Sequence, residues 1–149
     1  MSRRPCFAYG ANMNRASFQA RCSSARFLGR AVLPGHRFRI ARCGYATVTP
    51  EPEAVVHGLL WEISEADELE LDGFEGMDDG LYLKAEPEVR PLGGEPCVAM
   101  IYRAADPTAG VPHPGYLEDI LASAEREGLP TAYREELERW RRTDGPAPA

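Results

Sequence analysis

Up to residue 104 the chain is a succession of short apolar or alternating runs, each closed by glycine, proline or asparagine; beyond it the apolar residues recur at helical spacing. Arg4–Tyr9 is the first strand-like run. Arg26–Ile40 holds two more, separated by Pro34-Gly35, a dipeptide that predicts a hairpin or a tight corner. Gly44–Thr49 follows and is expected to end at Pro50. Ala54–Ile63, AVVHGLLWEI, is the most apolar run and reads as a central strand. Leu81–Val89 alternates, Gly93-Gly94 marks a turn, and Cys97–Arg103 is a further strand. Six or seven short strands joined by tight turns must curl or close to bury one face, which predicts a strongly curved mixed sheet.

Helices are sparse in this part. Asn14 is a plausible N-cap for a helix running to about Cys22. Ser64, with Asp67 three residues on, resembles a capping box for a short helix ahead of Leu71. After Ala104 the pattern changes. Leu117, Ile120, Leu121 and Ala124 share one helical face, Gly128 stops that helix, and Pro130 can open the next, with Tyr133, Leu137 and Trp140 as its apolar stripe. The fold class expected is α+β: a small, mixed, barrel-like sheet with peripheral helices. No repeat or linker divides it, so residues 1–149 read as one domain with a low-complexity tail at about 144–149.

Two stretches carry chemistry. Tyr9-Gly10-Ala11-Asn12 lies between the first strand and the first helix, where a glycine turn exposes backbone N–H groups suited to a carboxylate or an oxyanion. The stretch lacks the glycine patterns of dinucleotide and nucleotide phosphate loops. Leu71–Tyr82, LDGFEGMDDGLY, sets Glu75 at the end of a helix between Phe74 and Gly76, where a rigid scaffold can aim it into a pocket. Asp72, Asp78 and Asp79 read as structural or solvated, and His57 as a core or rim residue of its apolar strand.

The net charge of −6, with no basic stripe, argues against nucleic acid as a partner. No run approaches the roughly 20 apolar residues of a membrane span. Cys6, Cys22, Cys43 and Cys97 show no metal-ligand spacing, and with no secretory signal they are expected to be reduced thiols in a cytoplasm. No cofactor or metal is called for. Basic residues are nearly all arginine, with Lys84 the single lysine, a composition expected of a GC-rich bacterium.

Three segments together resemble the γ-glutamylcyclotransferase family. Phe7–Met13 (F-A-Y-G-A-N-M) is similar to the family's F-x-Y-G-S-N-[LM] loop. Leu71–Tyr82 (L-D-x-x-E-G-x-x-x-G-x-Y) is similar to the segment carrying its catalytic glutamate. P-x-P-x-Y from Pro112, followed by E-G-L-P-x-x-Y-x-E-x-L ending at Leu137, is similar to the C-terminal portion of its γ-glutamyl-amino-acid branch. Cys43–Val48 and Val56–Trp61 also look familial. Ala11 departs from the family, whose loop carries serine. A loop working through backbone N–H groups tolerates that change; one using the hydroxyl does not.

The resemblance implies a small mixed α/β barrel-like fold and a cofactor-free reaction. The α-amine of a γ-glutamyl group attacks its own γ-carbonyl, releasing 5-oxoproline and the attached amine. It assigns Glu75 as general base and then general acid, and Tyr9, Gly10, Ala11, Asn12, Tyr82 and Tyr133 as the substrate pocket. Family members are often homodimers. Two alternatives stay open: a cyclotransferase for another conjugate (a γ-glutamyl amine or a carrier-bound intermediate), and a non-catalytic module binding a small carboxylate.

Overall fold

The computed structural model describes residues 3–141. Strand β1 (Arg3–Ala8) is followed by helix α1 (Arg15–Arg21), then by two long strands, β2 (Arg26–Ile40) and β3 (Ala46–Ser64). Helix α2 (Glu65–Phe74) leads to β4 (Tyr82–Ala85), β5 (Glu88–Pro91), β6 (Cys97–Val98) and β7 (Ile101–Ala104). Helices α3 (Tyr116–Arg126) and α4 (Thr131–Glu138) close the described chain. The main sheet has the order β1-β3-β2-β5-β6, antiparallel at every pairing, and β4 pairs with β7 beside it. Met100, between β6 and β7, joins the two: its N–H donates to Pro5 O and its carbonyl accepts from Phe7 N–H, both at 2.9 Å. The strands thus curl round the core as an antiparallel half-barrel, with the four helices packed about it.

Several expected boundaries move, each for a physical reason. Pro34-Gly35 makes no hairpin. β2 continues through it as a bulge: Pro34 faces Val55 and His36 faces Pro50, and residues 51–54 loop out of β3 opposite. Pro50, paired with His36, and Pro52, on the bulged backbone, both lie within β3, and neither ends the strand. The run Leu81–Val89 is split into β4 and β5 at Glu86-Pro87, where proline removes a donor. Its faces are the reverse of the apolar alternation of Leu81, Leu83 and Ala85 against Tyr82, Lys84 and Glu86: Tyr82 is buried, and Leu81 and Leu83 are exposed. The run Cys97–Arg103 is split because Met100 changes partner to β1. The proposed tail at 144–149 lies outside the described residues.

The caps form as read. Asn14 Oδ1 accepts from Ser17 N–H (3.2 Å). Ser64 Oγ accepts from Asp67 N–H (3.2 Å) while Asp67 Oδ2 accepts from Ser64 N–H (3.1 Å), a complete capping box. Phe18 of α1 stacks on Trp61 of β3 with ring centroids 4.3 Å apart, and both are buried. Leu117, Ile120 and Ala124 of α3 and Tyr133 and Leu137 of α4 are buried as their spacing predicts. Among the described residues no helix is long and apolar enough to cross a membrane.

β1 ends at Ala8, and the chain then crosses β3 at Gly58. A Cβ on Gly58 would stand 2.3 Å from Ala8 O and 2.8 Å from Phe7 Cζ, so any side chain there pushes β1 off the sheet. Gly58→Ala is therefore expected to lower stability by about 3 kcal/mol. A denaturant titration checks this; an unchanged midpoint would mean that β1 crosses without needing the gap.

Candidate active site

The segment following α2 is shaped by where the helix stops. Glu75 is its C-cap, with its N–H donating to Leu71 O (2.8 Å), and Gly76 then turns left-handed (φ 68°). Glycine carries that conformation without a Cβ penalty. Gly76 O accepts from both Asp79 and Leu81 N–H at 3.1 Å, closing residues 76–81 into a compact loop. The Glu75 side chain leaves at the point where the backbone turns away and enters a cavity of about 520 Å³.

The opposite wall is the crossing after β1. Tyr9, Gly10, Ala11 and Asn12 all line the cavity, as do Glu75 and Tyr82. Residues 11–13 form one 3-10 turn. Ala11 N–H faces the Tyr116 hydroxyl oxygen, and Asn12 N–H takes no backbone acceptor among the described residues. Gly10 has negative φ (−120°); a Cβ on it would lie 3.1 Å from Ala46 Cβ and 3.2 Å from Tyr116 Oη. Asn12 Nδ2 donates to Glu75 Oε2 at 3.2 Å, so the two sequence-distant stretches meet in one hydrogen bond.

Glu75 is half-buried, and its carboxyl pKa is raised from 4.5 to about 7. Burial is the main cause. The hydrogen bond from Asn12 and the positive charge of Arg21 oppose it and are outweighed. Phe74 contributes less shielding than its place beside Glu75 suggests. It is half exposed, and its ring carries the Arg21 guanidinium at 3.6 Å. The neighbouring acids divide. Asp72 pairs with Lys84 and accepts from the Tyr102 hydroxyl (2.7 Å). Asp78 is exposed, while Asp79, also exposed, lines the cavity.

Four tyrosines surround Glu75, and their hydrogen bonds give them different capacities. Tyr9 donates to Tyr102 O (2.5 Å), Tyr82 to Ala46 O (2.5 Å) and Tyr102 to Asp72. Their protons are committed, and they offer oxygen lone pairs only. Tyr82 can therefore act toward a bound molecule only as an acceptor. Tyr116 is the reverse case. Its oxygen accepts from Ala46 N–H (2.9 Å), which leaves its own proton free. The one residue Ala46 therefore holds an acceptor tyrosine by its carbonyl and a donor tyrosine by its N–H.

Tyr133 is not among the cavity's lining residues, contrary to expectation. Helical spacing puts it on the inward face of α4, but that face meets the outside of β3. Its ring lies 4.7 Å from the His57 ring, and its buried hydroxyl faces the His57 backbone N–H. His57 is a half-buried rim residue whose pKa is lowered by burial and by Arg30. Tyr45, Tyr102, Tyr116 and Arg21 were not singled out from the sequence. Only Tyr116 had a signal, as the tyrosine of Pro112-His113-Pro114-Gly115-Tyr116. No cluster of metal-ligating residues occurs among the described residues.

The AIG2-like family matches residues 55–137 of the chain. Over 141 residues the chain is 28% identical to the γ-glutamylcyclotransferase of Homo sapiens, covering 88% of this chain and 75% of that one. The γ-glutamylcyclotransferase of Bos taurus is 27% identical over the same shares. A solved γ-glutamyl cyclotransferase superposes with a TM-score of 0.84 at 26% identity, covering 92% of this chain and 87% of its own.

Burial raises the pKa of five of the six tyrosines, Tyr9, Tyr82, Tyr102, Tyr116 and Tyr133, above the ordinary value of 10. In an alkaline ultraviolet titration most phenolate absorbance is expected only as circular dichroism shows unfolding. Full ionisation near pH 10 with the fold intact would contradict the enclosed arrangement.

Proposed function

The chain belongs to the AIG2-like family, and we propose that it is a γ-glutamylcyclotransferase converting a γ-glutamyl amino acid or peptide to 5-oxoproline and the free amine. One observation carries this reading: a half-buried carboxyl with a pKa of about 7 on a cavity wall, ringed by neutral hydroxyls. That is the tuning a proton shuttle needs. A simple carboxylate binder has no use for it, which counts against the non-catalytic alternative.

In this reading Glu75 takes a proton from the substrate α-ammonium. The freed amine forms a bond to the γ-carbonyl carbon of the same molecule, and the carbon–nitrogen bond to the acceptor breaks as Glu75 returns the proton to the departing nitrogen; Glu75 then carries the second proton of the ring nitrogen to the released amine, which leaves as an ammonium. Nucleophile and electrophile are tethered, so the work left to the protein is folding the substrate and moving two protons in turn. Tyr82 and Tyr9, with only lone pairs to offer, suit the ammonium end. The Tyr116 hydroxyl, held by the Ala46 and Ala11 N–H groups, and the Asn12 N–H suit the developing oxyanion or the α-carboxylate. Ala11 keeps its N–H, so the loss of the family serine removes no part of this scheme.

The leaving group is addressed by charge. The charged side chains lining the cavity are Glu75 and Asp79, both acids. A leaving amine with no negative charge suits this wall better than an acidic one, which favours a γ-glutamyl amine as the second reading. Among γ-glutamyl-alanine, γ-glutamyl-glutamate and a γ-glutamyl alkylamine, the glutamate conjugate is expected to show the lowest kcat/KM. Were it the best of the three, the acidic wall would not govern acceptor choice.

Glu75→Gln is expected to lower kcat/KM by about 10³-fold. The base form exists above a pKa of about 7, so wild-type kcat/KM should rise with pH through about 7, and the variant's residual activity should lack that limb. The stability sign is opposite. A carboxyl raised from 4.5 to about 7 contributes stability that is complete below 4.5 and is lost as pH rises through 7. At pH 8 the glutamine variant should accordingly unfold no more easily than wild type. Near-wild-type turnover in a folded Glu75→Gln protein would remove the assignment.

A further inference from the structure

We infer that Arg21 is a positioning residue for Glu75, acting through the amide of Asn12. Arg21 is the last residue of α1, and its Nη1 donates to Asn12 Oδ1 at 3.2 Å. A guanidinium has donors and no acceptor, so only the oxygen of the Asn12 amide can face it. The amide NH2 must then point the other way, where Nδ2 reaches Glu75 Oε2 at 3.2 Å. Flipped, the amide would present its oxygen to Glu75, and an oxygen can be satisfied there only by the protonated acid. The amide therefore has two orientations that favour opposite protonation states, and Arg21 selects the one that favours the carboxylate.

The surroundings leave this task to Arg21. Cys6 and Tyr9 face Glu75 from β1 and the loop after it, Tyr82 from β4 and Tyr116 from α3. Burial keeps all four neutral through the working range. Among the described residues Arg21 is the cation whose charge bears on Glu75. Its place is held by Phe74: the guanidinium carbon sits 3.6 Å from the ring centroid, a cation–π contact with the residue next to the one it serves. That contact also accounts for a large aromatic side chain half exposed at the helix end.

The pH-rate consequence rests on Glu75 being the base; the effect on its titration does not. The test is therefore a carbon-13 carboxyl titration of Glu75 in the ligand-free protein, for wild type, Arg21→Met, Arg21→Lys and Phe74→Leu. The midpoint in Arg21→Met is expected to move upward by roughly half a unit or more, with Arg21→Lys restoring part of the shift and Phe74→Leu moving it in the same direction as Arg21→Met. In kinetics the acid limb of Arg21→Met should move with the midpoint. A one-unit move costs about fivefold in kcat/KM at pH 7, and activity at pH 9 should stay within about twofold of wild type. An unmoved midpoint in both Arg21→Met and Phe74→Leu overturns the inference, as does an equal loss of activity at every pH. If Glu75→Gln proves fully active, the proposed reaction mechanism fails, while the carboxyl titration still decides the role of Arg21.

Discussion

The pairing of β3 along both of its edges holds the site together. At its start, Ala46 fixes the hydroxyls of Tyr82 and Tyr116 through its own carbonyl and N–H. In its middle, the missing side chain of Gly58 lets β1 cross and deliver Tyr9–Asn12 to the cavity. At its end, Ser64 caps α2, the helix that terminates at Glu75. Three elements distant in sequence converge because each is anchored to the same strand. The Asn12–Glu75 hydrogen bond closes the triangle.

Within the cavity, burial dominates over charge. The hydrogen bond and the cation that favour the carboxylate leave Glu75 with a pKa near 7, well above that of a solvated glutamate. Had Arg21 approached Glu75 directly, the ion pair would have pulled the carboxyl back toward the acid range and spoiled it as a base at neutral pH. The intervening amide gives orientation with a weakened charge. The tyrosines add polarity without charge, and their prior commitments to Ala46, Asp72 and Tyr102 O set which of them can donate.

The local features were legible in the sequence. Glu75 at a helix end, the Gly76 turn, the Ser64 capping box and the glycine loop at Tyr9–Asn12 depend on residues within a few positions of one another. What escaped depends on partners far along the chain. Pro34-Gly35 has a strong local turn preference, but pairing between β2 and β3 on either side carries the strand through. The spacing of Tyr133 correctly gave it a buried face, yet spacing says nothing about which surface of the sheet a helix covers. Tyr116 stood in a quoted motif and gained a role only through Ala46. Arg21 had no signal at all, since its meaning comes from Asn12 and Phe74, which the fold brings to it.

In the proposed reaction the cavity folds a γ-glutamyl group so that its own amine, rather than water, attacks the carbonyl. Product identity tests it most directly: γ-glutamyl-alanine incubated with the wild-type protein, with 5-oxoproline, glutamate and alanine quantified together. 5-Oxoproline and alanine are expected in equal amounts, with no glutamate above the enzyme-free control. Glutamate as the main product, or no turnover of any γ-glutamyl conjugate by the folded protein, would contradict it.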